Sequence, residues 1–167
     1  MAIILITGGA RSGKSTRAEA RVRAFAGQGV YIATAEALDA EMRERIARHR
    51  TRRGSEWIER EAPLELVAAL LETDGRGARL VDCLTIWLSN LLHAERAWEK
   101  EAELLVEALG EQKSPVVLVA NEVGLGIVPD NALARRFRDA AGILNQMVAR
   151  AADEVELVVA GLPMRVK

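Results

Sequence analysis

The chain has 167 residues, of which 50% are hydrophobic and 28% are charged, a composition typical of one soluble globular domain covering residues 1–167. Its formal net charge of −1 provides no extended basic surface, so we expect no nucleic-acid partner. The single cysteine, Cys83, excludes an internal disulfide framework and fits a reducing, cytoplasmic location, in which it would be a small buried hydrophobic residue.

Apolar, β-branched runs alternate along the chain with stretches of helical periodicity. The runs predict strands at 2–7, 30–33, 79–83, 115–120 and 154–160, and residues 56–61 could add a short strand. The periodic stretches predict helices at 15–26, 38–50, 63–71, 85–109 and 131–152, the fourth of them broken near His93. This alternation predicts a mostly parallel α/β sheet flanked by helices, with ligands at the carboxyl ends of the strands. No run predicts a membrane span or a signal peptide.

The strongest local pattern is GGARSGKS, which satisfies G-x-x-x-x-G-K-[ST] directly after a predicted strand and at the start of a predicted helix. The segment consists of Gly8, Gly9, Ala10, Arg11, Ser12, Gly13, Lys14 and Ser15. In such a loop, backbone N–H groups and a helix N-terminus bind phosphate oxygens, Lys14 reaches the terminal phosphates and the Ser15 hydroxyl binds Mg²⁺. The pattern therefore predicts a nucleoside triphosphate, without indicating its base or the reaction.

A magnesium site needs a carboxylate at a neighbouring strand end, and RLVDC supplies Asp82 after an apolar run. The alternative is a purely structural aspartate that caps the helix predicted to begin near Thr85.

Two other P-loop classes fit the chain poorly. A regulatory GTPase carries N-K-x-D at a strand end, whereas here Asn121 is followed by Glu122. A RecA-like DNA motor needs a basic groove with stacking aromatic side chains, and the six aromatic residues of this chain are not interleaved with basic ones.

The segment NEVGLGIVPDN, residues 121–131, joins a predicted strand to a predicted helix through two glycines and a proline. One interpretation is a loop held open as part of a site. The other is a plain connection in which Asp130 or Asn131 caps the next helix.

The segment ARHRTRR places His49 among four arginines, Arg48, Arg50, Arg52 and Arg53. Alone, such a stretch is typical of a solvated charged surface. Beside a triphosphate-binding loop it gains a second interpretation, because nearby arginines bind phosphate oxygens with forked donors and favour the neutral, nucleophilic form of the imidazole.

Several segments together resemble one family. They are TGGARSGKS, YIAT, EMRERIARHRTRR with Trp57 and Glu61 after it, NEVGLGIVPDN, LARRFRDAAGILNQ and ADEVELVVAGLP. In this order, and nearly from end to end, the chain resembles the bifunctional adenosylcobinamide kinase/adenosylcobinamide-phosphate guanylyltransferase family.

The resemblance implies a RecA-like P-loop fold, a homotrimer and two late reactions of cobalamin assembly. The first phosphorylates the aminopropanol hydroxyl of adenosylcobinamide with a nucleoside triphosphate, ATP or GTP. The second transfers GMP from GTP to adenosylcobinamide phosphate through a guanylylated histidine, and gives adenosylcobinamide-GDP and pyrophosphate. The alternatives are a single-activity P-loop kinase and a GTP-binding protein without transfer chemistry.

The family's functional residues fall on definite positions of this chain. The guanylylated histidine falls on His49, and the nucleotide contacts fall on Gly8 to Ser15, Thr34, Arg50, Thr51, Arg52, Arg53, Glu61 and Asp82. Some relatives have a second histidine where this chain has Arg48, and some have glutamate in place of Asp82. A general base for the kinase step is unassigned, with Glu122 as a candidate, and His93 is expected to be an ordinary helix-surface residue.

Overall fold

The computed structural model describes residues 1–36 and 57–167, and the strands within them form one sheet. The strands are β1 (Ile3–Gly8), β2 (Gly29–Ala33), β3 (Trp57–Glu61), β4 (Arg79–Asp82), β5 (Val116–Asn121), β6 (Glu154–Val159) and β7 (Leu162–Arg165). Their order across the sheet is β3-β2-β4-β5-β1-β6-β7, and every pair is parallel except β6 and β7. The predicted mostly parallel sheet is confirmed, and residues 57–61 do form the short strand.

The helices of the described residues are α1 (Lys14–Arg23), α2 (Leu66–Thr73), α3 (Leu84–His93), α4 (Trp98–Glu111) and α5 (Ala132–Ala151). The break predicted near His93 separates α3 from α4, where Glu95 adopts a left-handed φ of 53°. His93 is an exposed residue at the end of α3, as expected. Other helix ends differ from the predicted ones by a few residues. The predicted helix at 38–50 lies outside the described residues.

The core has two layers because successive side chains of a strand point to opposite faces of the sheet. Helix α1 covers one face, where Ala18 and Val22, one helical turn apart, pack with Ile4, Ile6 and Leu80. Helices α2 to α5 cover the other face, against the alternate strand residues such as Leu5, Ile32 and Val81. Within residues 1–36 and 57–167, no helix has the length and apolar character needed to cross a membrane.

The antiparallel strand β7 was not predicted. It follows β6 through a two-residue turn in which Ala160 and Gly161 have φ values of 51° and 82°. Positive φ at both central residues is the geometry of a type I′ hairpin turn. Pro163 lies inside β7 and its four residues are exposed, features that are tolerated in an edge strand.

Candidate functional site

The carboxyl ends of the six parallel strands meet at one edge of the sheet. Residue pairing aligns Gly8 of β1 with Asn121 of β5, and Ala33 of β2 with both Glu61 of β3 and Asp82 of β4. The side chains of Glu61 and Asp82 share the α1 face, because each lies an even number of residues from a side chain that packs in the α1 layer, Trp57 and Leu80. Two acidic side chains and the start of α1 are therefore placed on one face at one edge.

The predicted phosphate-binding segment forms a tight loop between β1 and α1. Arg11 and Gly13 have left-handed φ values of 55° and 96°, and Gly13 is the N-cap residue of α1. Such alternation of backbone conformation turns successive N–H groups toward a common concavity that suits an anion. Lys14 is buried, with 9% of its surface exposed, and its Nζ donates a hydrogen bond to Gly9 O at 2.9 Å. The ammonium group is therefore held against the loop.

The base of the phosphate loop has no room for a side chain. A Cβ on Gly8 would lie 2.5 Å from Val158 O and 2.6 Å from Ser12 Oγ, so only glycine fits there. The buried hydroxyls of Thr7 and Ser12 have no hydrogen-bond partner within the described residues. An unsatisfied buried hydroxyl is costly, and an oxygen of a bound phosphate would accept from the Ser12 hydroxyl, which lies in the loop, whereas Thr7 lies in β1. The loop therefore fits the predicted triphosphate.

Asp82 does not cap the following helix. The N-cap residue of α3 is Cys83, and the Asp82 Oδ2 atom instead accepts a hydrogen bond from the Tyr31 hydroxyl at 2.8 Å. The carboxylate of Asp82 and the half-buried hydroxyl of Ser15 are hard oxygen donors of the type that Mg²⁺ prefers. These two residues fit the predicted ion.

Thr34, directly after β2, joins the ends of β2 and β4. Its hydroxyl donates to Cys83 O at 2.9 Å and accepts from Cys83 N at 2.8 Å, and its carbonyl accepts from Asn90 Nδ2 at 2.8 Å. The residue is fully buried. Its predicted contact with a nucleotide stays a prediction.

Cys83 is buried, as expected, and its surroundings connect two site residues. Burial and, to a smaller extent, the negative charge of Asp82 raise the pKa of the Cys83 thiol to about 11, although the positive charge of Lys14 acts to lower it. A thiol with this pKa stays protonated at neutral pH and is a poor nucleophile. Lys14 and Asp82 both lie close enough to Cys83 for their charges to act on its thiol.

The segment 122–131 runs from β5 to α5 beside the phosphate loop. Glu122 N donates to Gly8 O at 3.0 Å, and the Glu122 carboxylate accepts from Gly124 N. Asn131 caps α5, since its Oδ1 accepts from Ala134 N at 2.7 Å. The Leu125 and Ile127 side chains are 85% and 97% exposed, which a plain connection does not require. The cap predicted at Asp130 or Asn131 is therefore confirmed at Asn131, and the part of this segment in a site stays a prediction.

Several predicted site residues are described only in part or not at all. Glu61 is exposed at the end of β3. His49, Arg50, Thr51, Arg52 and Arg53 lie outside the described residues. Within residues 1–36 and 57–167, His, Cys, Asp and Glu form no group of three that could hold a metal ion.

Tyr31 is the site residue that the sequence prediction missed. Its position in a buried strand, inside the YIAT segment, indicated only a core residue. The contact with Asp82 depends on the register between β2 and β4, which joins positions 51 residues apart.

Two solved structures show a similar fold. The P4 protein of bacteriophage phi6, in complex with ADP, matches with a TM-score of 0.53 and 16% identity over 97% of this chain. An ATPase of a bacterial type III secretion system matches with a TM-score of 0.56 and 13% identity over 98% of this chain. This chain spans 52% and 56% of those two proteins, and the likeness concerns the fold alone. The parallel sheet and the phosphate loop together define the class of this protein, a RecA-like P-loop NTPase fold.

Sequence comparison identifies the family within this class. The profile of the cobinamide kinase / cobinamide phosphate guanyltransferase family matches residues 4–166. The bifunctional adenosylcobalamin biosynthesis protein CobP of Pseudomonas aeruginosa is 50% identical over 98% of this chain and 96% of its own length. The bifunctional protein CobU of Salmonella typhimurium is 45% identical over 99% of both chains. The chain belongs to this family of cobalamin-biosynthesis enzymes, as the sequence resemblance indicated.

Proposed function

We propose that the protein phosphorylates adenosylcobinamide and then transfers GMP from GTP to adenosylcobinamide phosphate. The observation that carries this proposal is the phosphate loop, with buried Lys14 and the unpaired Ser12 hydroxyl, on the same sheet edge and face as Asp82. Membership of the family supplies the corrinoid substrate and the pair of reactions.

In the kinase step, the aminopropanol hydroxyl oxygen attacks the γ-phosphorus of ATP or GTP. The new P–O bond forms as the bridging bond to the β-phosphate breaks, the nucleoside diphosphate leaves and the hydroxyl proton is released. Lys14 and the backbone N–H groups of Gly8 to Ser15 hold the phosphate oxygens while charge redistributes. Mg²⁺ bound by Ser15 and Asp82 would neutralise charge on the phosphates. Glu122 stays a candidate proton acceptor.

In the guanylyl step, a ring nitrogen of His49 attacks the α-phosphorus of GTP, and pyrophosphate leaves as the N–P bond forms. A phosphate oxygen of adenosylcobinamide phosphate then attacks the same phosphorus, and the N–P bond breaks. The covalent intermediate divides one difficult transfer into two easier ones. We assign Arg50, Thr51, Arg52, Arg53, Thr34 and Glu61 to nucleotide binding during these steps.

The test uses GTP labelled at the α-phosphate. The chain has two histidines, so His93→Ala on the surface of α3 is a matched control for His49→Ala. We expect an acid-labile, alkali-stable protein label in the wild type and in the His93 variant, and none in the His49 variant, which keeps its kinase activity. Kinase activity without a protein label would favour the single-activity kinase. Binding of GTP without any transfer would favour the GTP-binding protein.

We also propose that the protein is a homotrimer. Two separate exposed apolar patches support this: Leu125, Ile127 and Val128 in the segment after β5, and Leu162 and Met164 in β7. A cyclic assembly joins two unlike patches of neighbouring subunits. Light scattering coupled to size-exclusion chromatography should give three times the mass of one chain, and a monomeric mass would contradict the proposal.

A further inference from the structure

The turn between β6 and β7 touches the phosphate loop directly. Gly161 N donates a hydrogen bond to Ser12 O at 2.8 Å. A Cβ placed on Gly13 would lie 3.1 Å from Gly161 Cα, so the two glycine backbones are in contact. A turn near the end of the chain thus contacts the loop at its junction with α1.

This hydrogen bond fixes the orientation of one peptide group in the loop. The peptide between Ser12 and Gly13 is trans, because the only cis peptide among the described residues joins Asp82 and Cys83. In a trans peptide the C=O and N–H bonds point in opposite directions. The Ser12 carbonyl points at the turn of the β6–β7 hairpin. The Gly13 N–H therefore points away from that turn, into the phosphate loop.

Ion pairs between α1 and β6 fix the β6–β7 hairpin against the helix that follows the loop. Arg17 of α1 donates two hydrogen bonds to Glu156 of β6, both 2.7 Å long, and Arg21 adds another of 2.7 Å. On the other side of the loop, Val158 O lies against Gly8. Strand β6 therefore holds both the strand that enters the loop and the helix that leaves it, and its turn meets the loop between them.

We propose that Gly161 is a positioning residue for nucleotide binding: its N–H holds the Ser12–Gly13 peptide so that the Gly13 N–H faces the phosphates. The hydrogen bond makes this orientation present before a ligand arrives, so binding energy is not spent on turning the peptide. This inference rests on the proposed binding of a triphosphate at the loop.

The test replaces Gly161 by glycolic acid through nonsense suppression, so that an ester oxygen takes the place of the N–H without adding a side chain. A matched control introduces the same ester at Gly27, which has a left-handed φ of 95° and open space around it, in the turn before β2. We expect the Kd for Mg·ATP to rise about tenfold for the Gly161 ester and to stay unchanged for the Gly27 ester.

Nucleotide-dependent stabilisation distinguishes positioning from a merely structural role. A structural role lowers the Tm of the free protein and leaves the Tm increase at a fixed concentration of Mg·ATP intact, whereas positioning reduces that increase. An unchanged Kd for the Gly161 ester overturns the inference. Absence of binding by the wild type would instead overturn the proposed function.

A second variant covers the case in which the ester does not fold. Insertion of one proline after Ala160 lengthens the turn, moves the Gly161 N–H away from Ser12 O and puts a residue without an N–H in its place, with the same insertion after Gly27 as its control. The same weakening of nucleotide binding is expected, and equal Kd values for the two insertions would contradict the proposal.

Discussion

The Tyr31 hydroxyl donates a hydrogen bond to Asp82 Oδ2 at 2.8 Å, from the middle of β2 to the end of β4. This bond orients the carboxylate that we assign to Mg²⁺, and it leaves Oδ1 for the ion. Partners of metal ligands commonly change metal affinity by an order of magnitude or more when removed.

Tyr31→Phe should therefore raise the Mg²⁺ concentration needed for half-maximal kinase activity by about tenfold. The ring stays in place and keeps its edge-to-face contact with Trp57, so the fold should be little affected. Kinase rates measured over a range of MgCl₂ concentrations test this, with Asp82→Asn as the more severe comparison. An unchanged magnesium dependence in Tyr31→Phe would contradict the assignment of Asp82.

Lys14→Ala should lower kcat/KM of the kinase step by a factor of about 100 or more, because the ammonium stabilises charge that develops on the transferred phosphoryl group. The hydrogen bond from Lys14 Nζ to the Gly9 carbonyl is also lost, which should lower the free energy of unfolding by about 1 kcal/mol. Steady-state kinetics and urea unfolding measure the two effects. Lys113→Ala, an exposed lysine before β5, should leave both unchanged.

Asp74→Ala should lower the free energy of unfolding by about 3 kcal/mol. Arg79 is completely buried at the start of β4, and its Nη1 donates to Asp74 Oδ1 at 2.6 Å. Removing the carboxylate leaves that charge without its counterion. Urea unfolding at pH 7 measures the change, and Asp139→Ala, in an exposed ion pair with Arg138, should cost less than about 1 kcal/mol.

The contribution of Asp74 should also depend on pH. Burial alone would raise its pKa, but hydrogen bonds from Arg79, Ser114 and Lys113 outweigh burial and lower the pKa to about 2. The unfolded chain has the ordinary value of about 3.9. A lowered pKa in the folded state means that stabilisation is complete above pH 4 and is lost as pH falls toward 2. The difference between wild type and Asp74→Ala should narrow over that range, and a constant difference would contradict this account.

Asn131→Ala should lower the free energy of unfolding by about 1 kcal/mol, because it removes the side-chain acceptor at the N-terminus of α5. Asn131→Ser, which keeps an oxygen acceptor, should restore most of the stability. Thermal unfolding of the two variants makes the comparison, and equal Tm values would show that the cap contributes nothing.

Much of the fold could be predicted because its signals are local. Strands β1, β4 and β5 are apolar runs of the kind that a doubly covered parallel sheet requires, and the glycine loop carries its own pattern. Strand β7 could not be predicted in this way. Pro163 argues against a strand, the Ala160–Gly161 turn lacks the usual Asn-Gly signal, and pairing with β6 is a tertiary event.

The candidate site residues that belong to sequence motifs could be predicted. Lys14, Ser15 and Asp82 follow from residue type and position after a strand. The Tyr31 contact and the Gly161 contact could not be predicted, because each joins segments that are distant along the chain. The burial of Arg79 could not be predicted either, because it depends on hydrogen bonds to Asp74 and Gln112 that form only in the folded protein.

The strand order also sets a length scale for the ligand. Neighbouring strands lie about 4.8 Å apart, so the backbones of β1 and β4 are separated by two spacings, about 10 Å, which the Asp82 side chain and a water bound to Mg²⁺ can bridge. Glu61, on β3, lies four spacings away, about 19 Å. One phosphate group cannot touch both Lys14 and Glu61. Glu61 is therefore expected to meet the nucleoside end of an extended nucleotide, or a second ligand, rather than the phosphates held by the loop.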